Sequence, residues 1–192
     1  MTERPILFSA PMVRALLDGS KTQTRRIVKP QHLQFFDHGA ADMLGHWDKR
    51  PIPYGKTGDG LWVKETHWRD DEDGAILYAA NPDDFATVQQ NKLETGSARY
   101  NWKPSIFMRR EYSRITLKIT GVRVARLQDI SEADAIAEGV DVTPLNTGPC
   151  GAFQHLWETI NGWESWDANP SVWVVEFTRH NAGNKPPTVG LD

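Results

Sequence analysis

A single cysteine, Cys150, in 192 residues excludes an internal disulfide and any zinc site built on several thiolates. It agrees with a reducing compartment, and the expected location is cytoplasmic. No apolar run reaches membrane-spanning length and the N-terminus lacks a secretory pattern, so no membrane partner is expected. His32, His38 and His46 share a stretch with Asp37 and Asp42, but without the tight spacing of a metal site. Neither a metal nor a cofactor is expected. Between Gly19 and Phe36 there is no acid at all, against four cations.

Tryptophan, by contrast, is abundant, with eight residues. Core packing of a small β-rich domain accounts for most of them, and base stacking at a binding surface for one or two. The net charge of −3 is unevenly spread. Residues 99–126 hold eight Lys/Arg and one acid, whereas residues 127–192 hold two Lys/Arg and ten acids. The basic block either guides phosphates or pairs with acids across the fold. The length suits one well-buried domain. That domain is expected over residues 1–180, with inserted segments near 31–56 and 80–98 and a disordered tail over 181–192.

The stretch from Ser9 to Pro30 concentrates the chemistry. Ser9 and Pro11 suit a helix start, Val13, Leu16 and Leu17 share one face, and Gly19 suits a left-handed stop. A polar strand over Lys21 to Val28 follows. Lys-Thr-Gln-Thr-Arg-Arg then offers an ammonium, two hydroxyls and two guanidiniums in one short span, which suits an anionic or polar ligand. In a regular strand Lys21 and Thr24 point to opposite faces, so joint action needs a bulge or a late strand start.

Further on, Leu61 to Thr66 alternates as a strand carrying one acid, Glu65, and Ala75 to Ala79 suits a hairpin partner. Residues 80–98 are polar and weakly patterned and predict at most a poor turn or two of helix in a mobile insertion. Ser113 to Thr120 has period two, and Val122 to Leu127 reads as a second strand after Gly121. Ser131 to Gly139 predicts a short capped helix, Phe153, Leu156, Trp157 and Ile160 an amphipathic one, and Val172 to Phe177 a strand covered on both faces.

Leu-Leu-Asp-Gly-Ser-Lys-Thr-Gln-Thr-Arg-Arg resembles the Gly-x-Lys-Thr-x-Thr-x-Arg signature of ASCH-domain proteins. With Arg-Pro-Ile-Leu-Phe-Ser, Gly-Asp-Gly-Leu-Trp-Val-Lys-Glu-Thr, Trp-Lys-Pro-Ser-Ile and Trp-Asp-Ala-Asn-Pro, the chain is similar to phage and prophage ASCH-like proteins over most of residues 4 to 179. The resemblance implies an α+β fold, a PUA-like mixed β-barrel with short flanking helices. It also implies a link to RNA or modified nucleosides. Matched to ASCH-like amidohydrolases that release acetate from N4-acetylcytidine, the working residues are Lys21, Thr24 and Glu138, with Arg26 at the motif arginine. Thr24 would attack the amide carbonyl, Lys21 would deprotonate it or hold the oxyanion, and Glu138 would manage protons at the leaving nitrogen.

Three functions follow. The first is an amidohydrolase on N4-acylcytidine-type substrates, its partner a modified cytidine nucleoside. The second is an RNA-binding protein or metal-independent single-stranded ribonuclease. The third is a non-enzymatic phage accessory protein. Arg25, Arg26, Glu65, Arg109 and Arg114 are the candidate ligand-binding residues, and the sequence does not specify an oligomeric state.

Overall fold

The computed structural model describes residues 2–30, 52–142 and 147–180. Strand β1 (Glu3–Leu7) leads into helix α1 (Ala10–Asp18) and the edge strand β2 (Gln23–Ile27). After β3 (Gly60–Lys64), the strands β4 (His67–Arg69) and β5 (Ile76–Tyr78) form a separate antiparallel hairpin. Helix α2 (Pro82–Thr95), strand β6 (Thr116–Arg126), helices α3 (Glu132–Ala137) and α4 (Gly148–Asn161), and strand β7 (Ser171–Arg179) complete the order. The main sheet runs β1–β3–β6–β7–β2, parallel between β1 and β3 and antiparallel elsewhere. The class is therefore α+β.

Strand β7 lies inside the sheet with both faces covered, as its unbroken apolar run requires. Trp173, Val175 and Phe177 enter one core, beneath α1, with Val13, Leu16, Leu117 and Ile119. Val172 and Val174 enter a second core, beneath α3 and α4, with Ala135, Phe153 and Trp157. The ladder does not close into the expected barrel among the described residues, since β1 and β2 end the strand order. A side chain bridges them instead: Arg26 on β2 donates to the Leu7 carbonyl of β1 at 2.7 Å.

Two further expectations from the sequence need correction. Residues 116–126 form one strand, not two, because a bulge lies between Ile119 and Gly121. The bulge changes the inward phase from Leu117 and Ile119 to Val122 and Val124, so both halves serve the same core. Over residues 80–98 the poor insertion is a 14-residue helix. Pro82 begins it, Asp83 and Asp84 suit its positive end, and Gly96, at φ 63°, closes it by donating to the Lys92 carbonyl. Its apolar signal is weak because Val88 is its one buried side chain. The expectations for residues 31–51, including the three histidines, and for the 181–192 tail lie outside the described residues.

The basic block largely pairs with acids. Arg99 meets Asp70 and Glu72, Arg110 meets Glu3, Arg114 meets Glu65, and Arg123 meets Asp134 and Glu176. Most of those acids lie N-terminal to the block. Among the described residues no helix is long and apolar enough to cross a membrane.

Leu117 has no exposed surface, so Leu117→Ala should cost about 2–5 kcal/mol in urea unfolding. Leu93→Ala, at a side chain 84% exposed, should stay within about 0.5 kcal/mol of the parent.

Candidate functional site

Helix α1 ends at Gly19 in the left-handed region, φ 87°, and the chain turns back so that the Lys21 amide donates to the Ala15 carbonyl at 2.9 Å. Regular strand then starts at Gln23, late enough to free Lys21 from the alternation of β2. The outer edge of β2 is met by the end of α3. Lys21 and Glu138 form an isolated antiparallel bridge, and the Thr22 amide donates to the Ala137 carbonyl at 2.8 Å. Gly139, at φ 72°, permits this approach. A Cβ there would lie 2.8 Å from Lys21 Cβ and 2.9 Å from Ala15 Cβ.

The Lys21 side chain is fully buried. Its ammonium donates to the Gln23 carbonyl at 2.8 Å, the Glu138 carbonyl at 2.7 Å and Glu138 Oε2 at 3.0 Å. Three acceptors match the three donors of an ammonium. Burial pushes the Lys21 pKa below the ordinary lysine value, with Glu138 opposing and Arg26 and Arg25 adding to the shift. The other Glu138 oxygen, Oε1, accepts from Arg25 at 3.2 Å, and Arg25 also donates to Asp134 at 3.0 Å. Asp134 and Glu138 lie one helical turn apart and so face the same guanidinium. With its amide turned to satisfy its neighbours, Gln23 donates to Asp134 at 3.2 Å and accepts from Arg25. Burial alone would raise the Asp134 carboxyl, but Arg25 and Arg123 outweigh it and hold the group below its usual range. Removing one member of such a buried set costs about 3–5 kcal/mol, because it strands the others.

Strand alternation puts Thr24 and Arg26 on one face of β2 and Arg25 on the other. The register confirms this, since Thr24 pairs with Val175 of the first core and Arg25 with Val174 of the second. Lys21 and Arg26 both lie over the Phe8 ring, at 5.4 and 5.3 Å, so the ammonium reaches the side on which Thr24 lies. Burial lowers the pKa of Arg26, and the Tyr54 phenol and Glu138 interact with its charge.

Lys21, Arg25 and Glu138 are thus in direct contact, with Thr24 and Arg26 on the same short strand. Glu65 and Arg114 bind each other at the junction of β3 and β6, one residue on from Lys64, whose carbonyl accepts from the Phe8 amide at 3.1 Å. Two guanidinium nitrogens meet the two carboxylate oxygens at 2.9 Å each, and the guanidinium lies 3.9 Å over the Tyr78 ring. Burial raises the Glu65 pKa despite Arg114. Arg109 is on the surface, 3.6 Å from Glu111. The sequence did not point to Phe8, Gln23, Tyr54 or the carboxylate of Asp134. Only the last had a signal, its four-residue spacing from Glu138.

Gly139→Ala should destabilise by about 1–3 kcal/mol, more than Gly96→Ala, whose Cβ would meet nothing within 4 Å; thermal unfolding of both checks it. The depressed pKa of Asp134 contributes stability that is present above the ordinary value of 3.8 and lost as pH falls through the folded value. Asp134→Asn should therefore flatten the fall of unfolding free energy below about pH 4, measured by urea titration at several pH values.

No family model matches the chain, and neither does any curated protein. Among solved structures, the high-resolution crystal structure of the ASCH domain from Lactobacillus crispatus JV V101 is similar over 93% of this chain and 79% of that one. Its identity is 12% and its TM-score 0.45.

Proposed function

We propose that the chain is an amidohydrolase that binds a nucleoside of the N4-acylcytidine type beside β2 and removes its acyl group. The observation that carries this reading is the contact of Lys21 with Glu138. The two are 117 residues apart, both buried, and meet at 3.0 Å beside the strand that bears Thr24. An ammonium next to a carboxylate supplies an electrophile and a proton carrier, and the Thr24 hydroxyl, borne by β2, supplies a nucleophile.

In the proposed reaction Thr24 Oγ adds to the acyl carbonyl and gives its proton to the Glu138 carboxylate. One Lys21 N–H turns from Glu138 Oε2 to the developing oxyanion. Collapse breaks the C–N4 bond, Glu138 returns the proton to N4, and cytidine leaves with the acyl group on Thr24. Water then adds to the ester and passes a proton to Glu138, which delivers it to Thr24 Oγ as the carboxylic acid leaves. The resting ion pair is restored.

Turnover of N4-acetylcytidine, followed by the ultraviolet change to cytidine, tests this. Lys21→Ala and Thr24→Ala should each lower kcat by at least about 10³-fold. The alkaline limb of the rate should lie below the ordinary lysine pKa of 10.5, because the ammonium is required and burial lowers its pKa. A folded parent without turnover overturns the reading.

A further inference from the structure

The proposed reaction leaves one buried cation of the cluster without a task. The Arg25 side chain is 1% exposed and packs 5.8 Å from the Phe153 ring, on the face of β2 opposite Thr24. A substrate lying on the Thr24 side cannot touch it. Both of its terminal nitrogens are committed to carboxylates, one to Glu138 Oε1 at 3.2 Å and the other to Asp134 Oδ2 at 3.0 Å. Glu138 is therefore gripped at both oxygens by cations of different origin, Lys21 on Oε2 and Arg25 on Oε1. With Lys21 alone, the carboxylate could rotate about its last torsion and follow the ammonium. A second grip from a rigid, planar donor fixes its plane.

The support continues outward. Asp134 holds Arg25 from the next turn of α3 and is itself met by Arg123 at 3.2 Å. Its backbone amide donates to Ser131 Oγ at 3.1 Å, which seats that turn of the helix.

We infer that Arg25 is a positioning residue: held by Asp134, it keeps the Glu138 carboxylate in the orientation that receives and returns the proton while Lys21 turns to the substrate. This rests on the reading of Glu138 as the proton carrier of an amidohydrolase. Arg25 acts through Glu138 and Asp134 acts through Arg25, so the effects of Arg25 and Asp134 on the rate must not multiply.

The test is steady-state kinetics on N4-acetylcytidine for the parent, Arg25→Lys, Asp134→Asn and the double variant, each with its thermal midpoint. Arg25→Lys keeps the charge but loses the two-carboxylate fork and should lower kcat about 10–100-fold, with KM within about twofold. Asp134→Asn should lower kcat about 3–10-fold, and the double variant should be no slower than Arg25→Lys alone. Losses that multiply in the double variant, or KM rising with the fall in kcat, overturn the positioning role and leave a structural ion pair. Should Arg25→Lys fail to fold, Asp134→Asn decides, because its site is partly exposed; an unchanged kcat there overturns the role. A parent without turnover removes the amidohydrolase reading and this role with it. A working parent with kcat unchanged in both single variants removes the role of Arg25 alone.

Discussion

Around a fully buried ammonium the rest of this fold has little freedom. An unpaired charge in a protein interior is prohibitively costly, so Lys21 requires three acceptors and a counter-charge. Gln23 and Glu138 supply them, and Glu138 can do so only if the end of α3 lies against the edge of β2. That docking takes up the Thr22 amide, just ahead of the edge strand β2, which would otherwise be open to pairing. It also brings a second carboxylate, Asp134, to Arg25 and ties the second core to the first. The ion pair is less a decoration of the fold than the joint between its two layers.

Such an arrangement is a poor route to stability alone. Replacing a buried ion pair by apolar side chains of similar volume is often neutral or favourable, because desolvation consumes most of the Coulombic gain. Two cations and two carboxylates therefore argue for a use that apolar packing cannot supply. The Glu65–Arg114 pair provides a contrast. There the fork is bidentate and stacked on Tyr78, and a further Arg114 nitrogen donates to Asn81. That cluster clamps the start of β6 to the end of β3.

Much of the frame was legible in the sequence, and the losses have physical causes. The doubly covered β7 and the capped α3 declared themselves through an unbroken apolar run and a Ser131–Gly139 bracket. Helix α2 did not, because it buries one side chain and is specified by its ends. The bulge in β6 reads as a strand boundary in the sequence because a phase change at a glycine looks the same in either case. Lys21 stands out in the cationic run after Gly19, but its grouping with Glu138 comes from the resemblance to a family, since no local rule joins residues so far apart. From the sequence Arg25 reads as a ligand contact; in the structure its partners, placed by α3, are carboxylates.

The closure between β1 and β2 has a mechanical consequence. Elsewhere in the sheet, neighbouring strands are held by ladders in which every bond reinforces the next, so separation must be cooperative. At this corner, among the described residues, the join is one guanidinium on the Leu7 carbonyl, backed by the Phe8 ring. Letting go of that carbonyl costs about 1.5–3 kcal/mol, the worth of a single charge-assisted hydrogen bond, and breaks no strand pairing. The molecule thus has a latch where a true barrel would have a weld, and the latch sits two residues from Thr24.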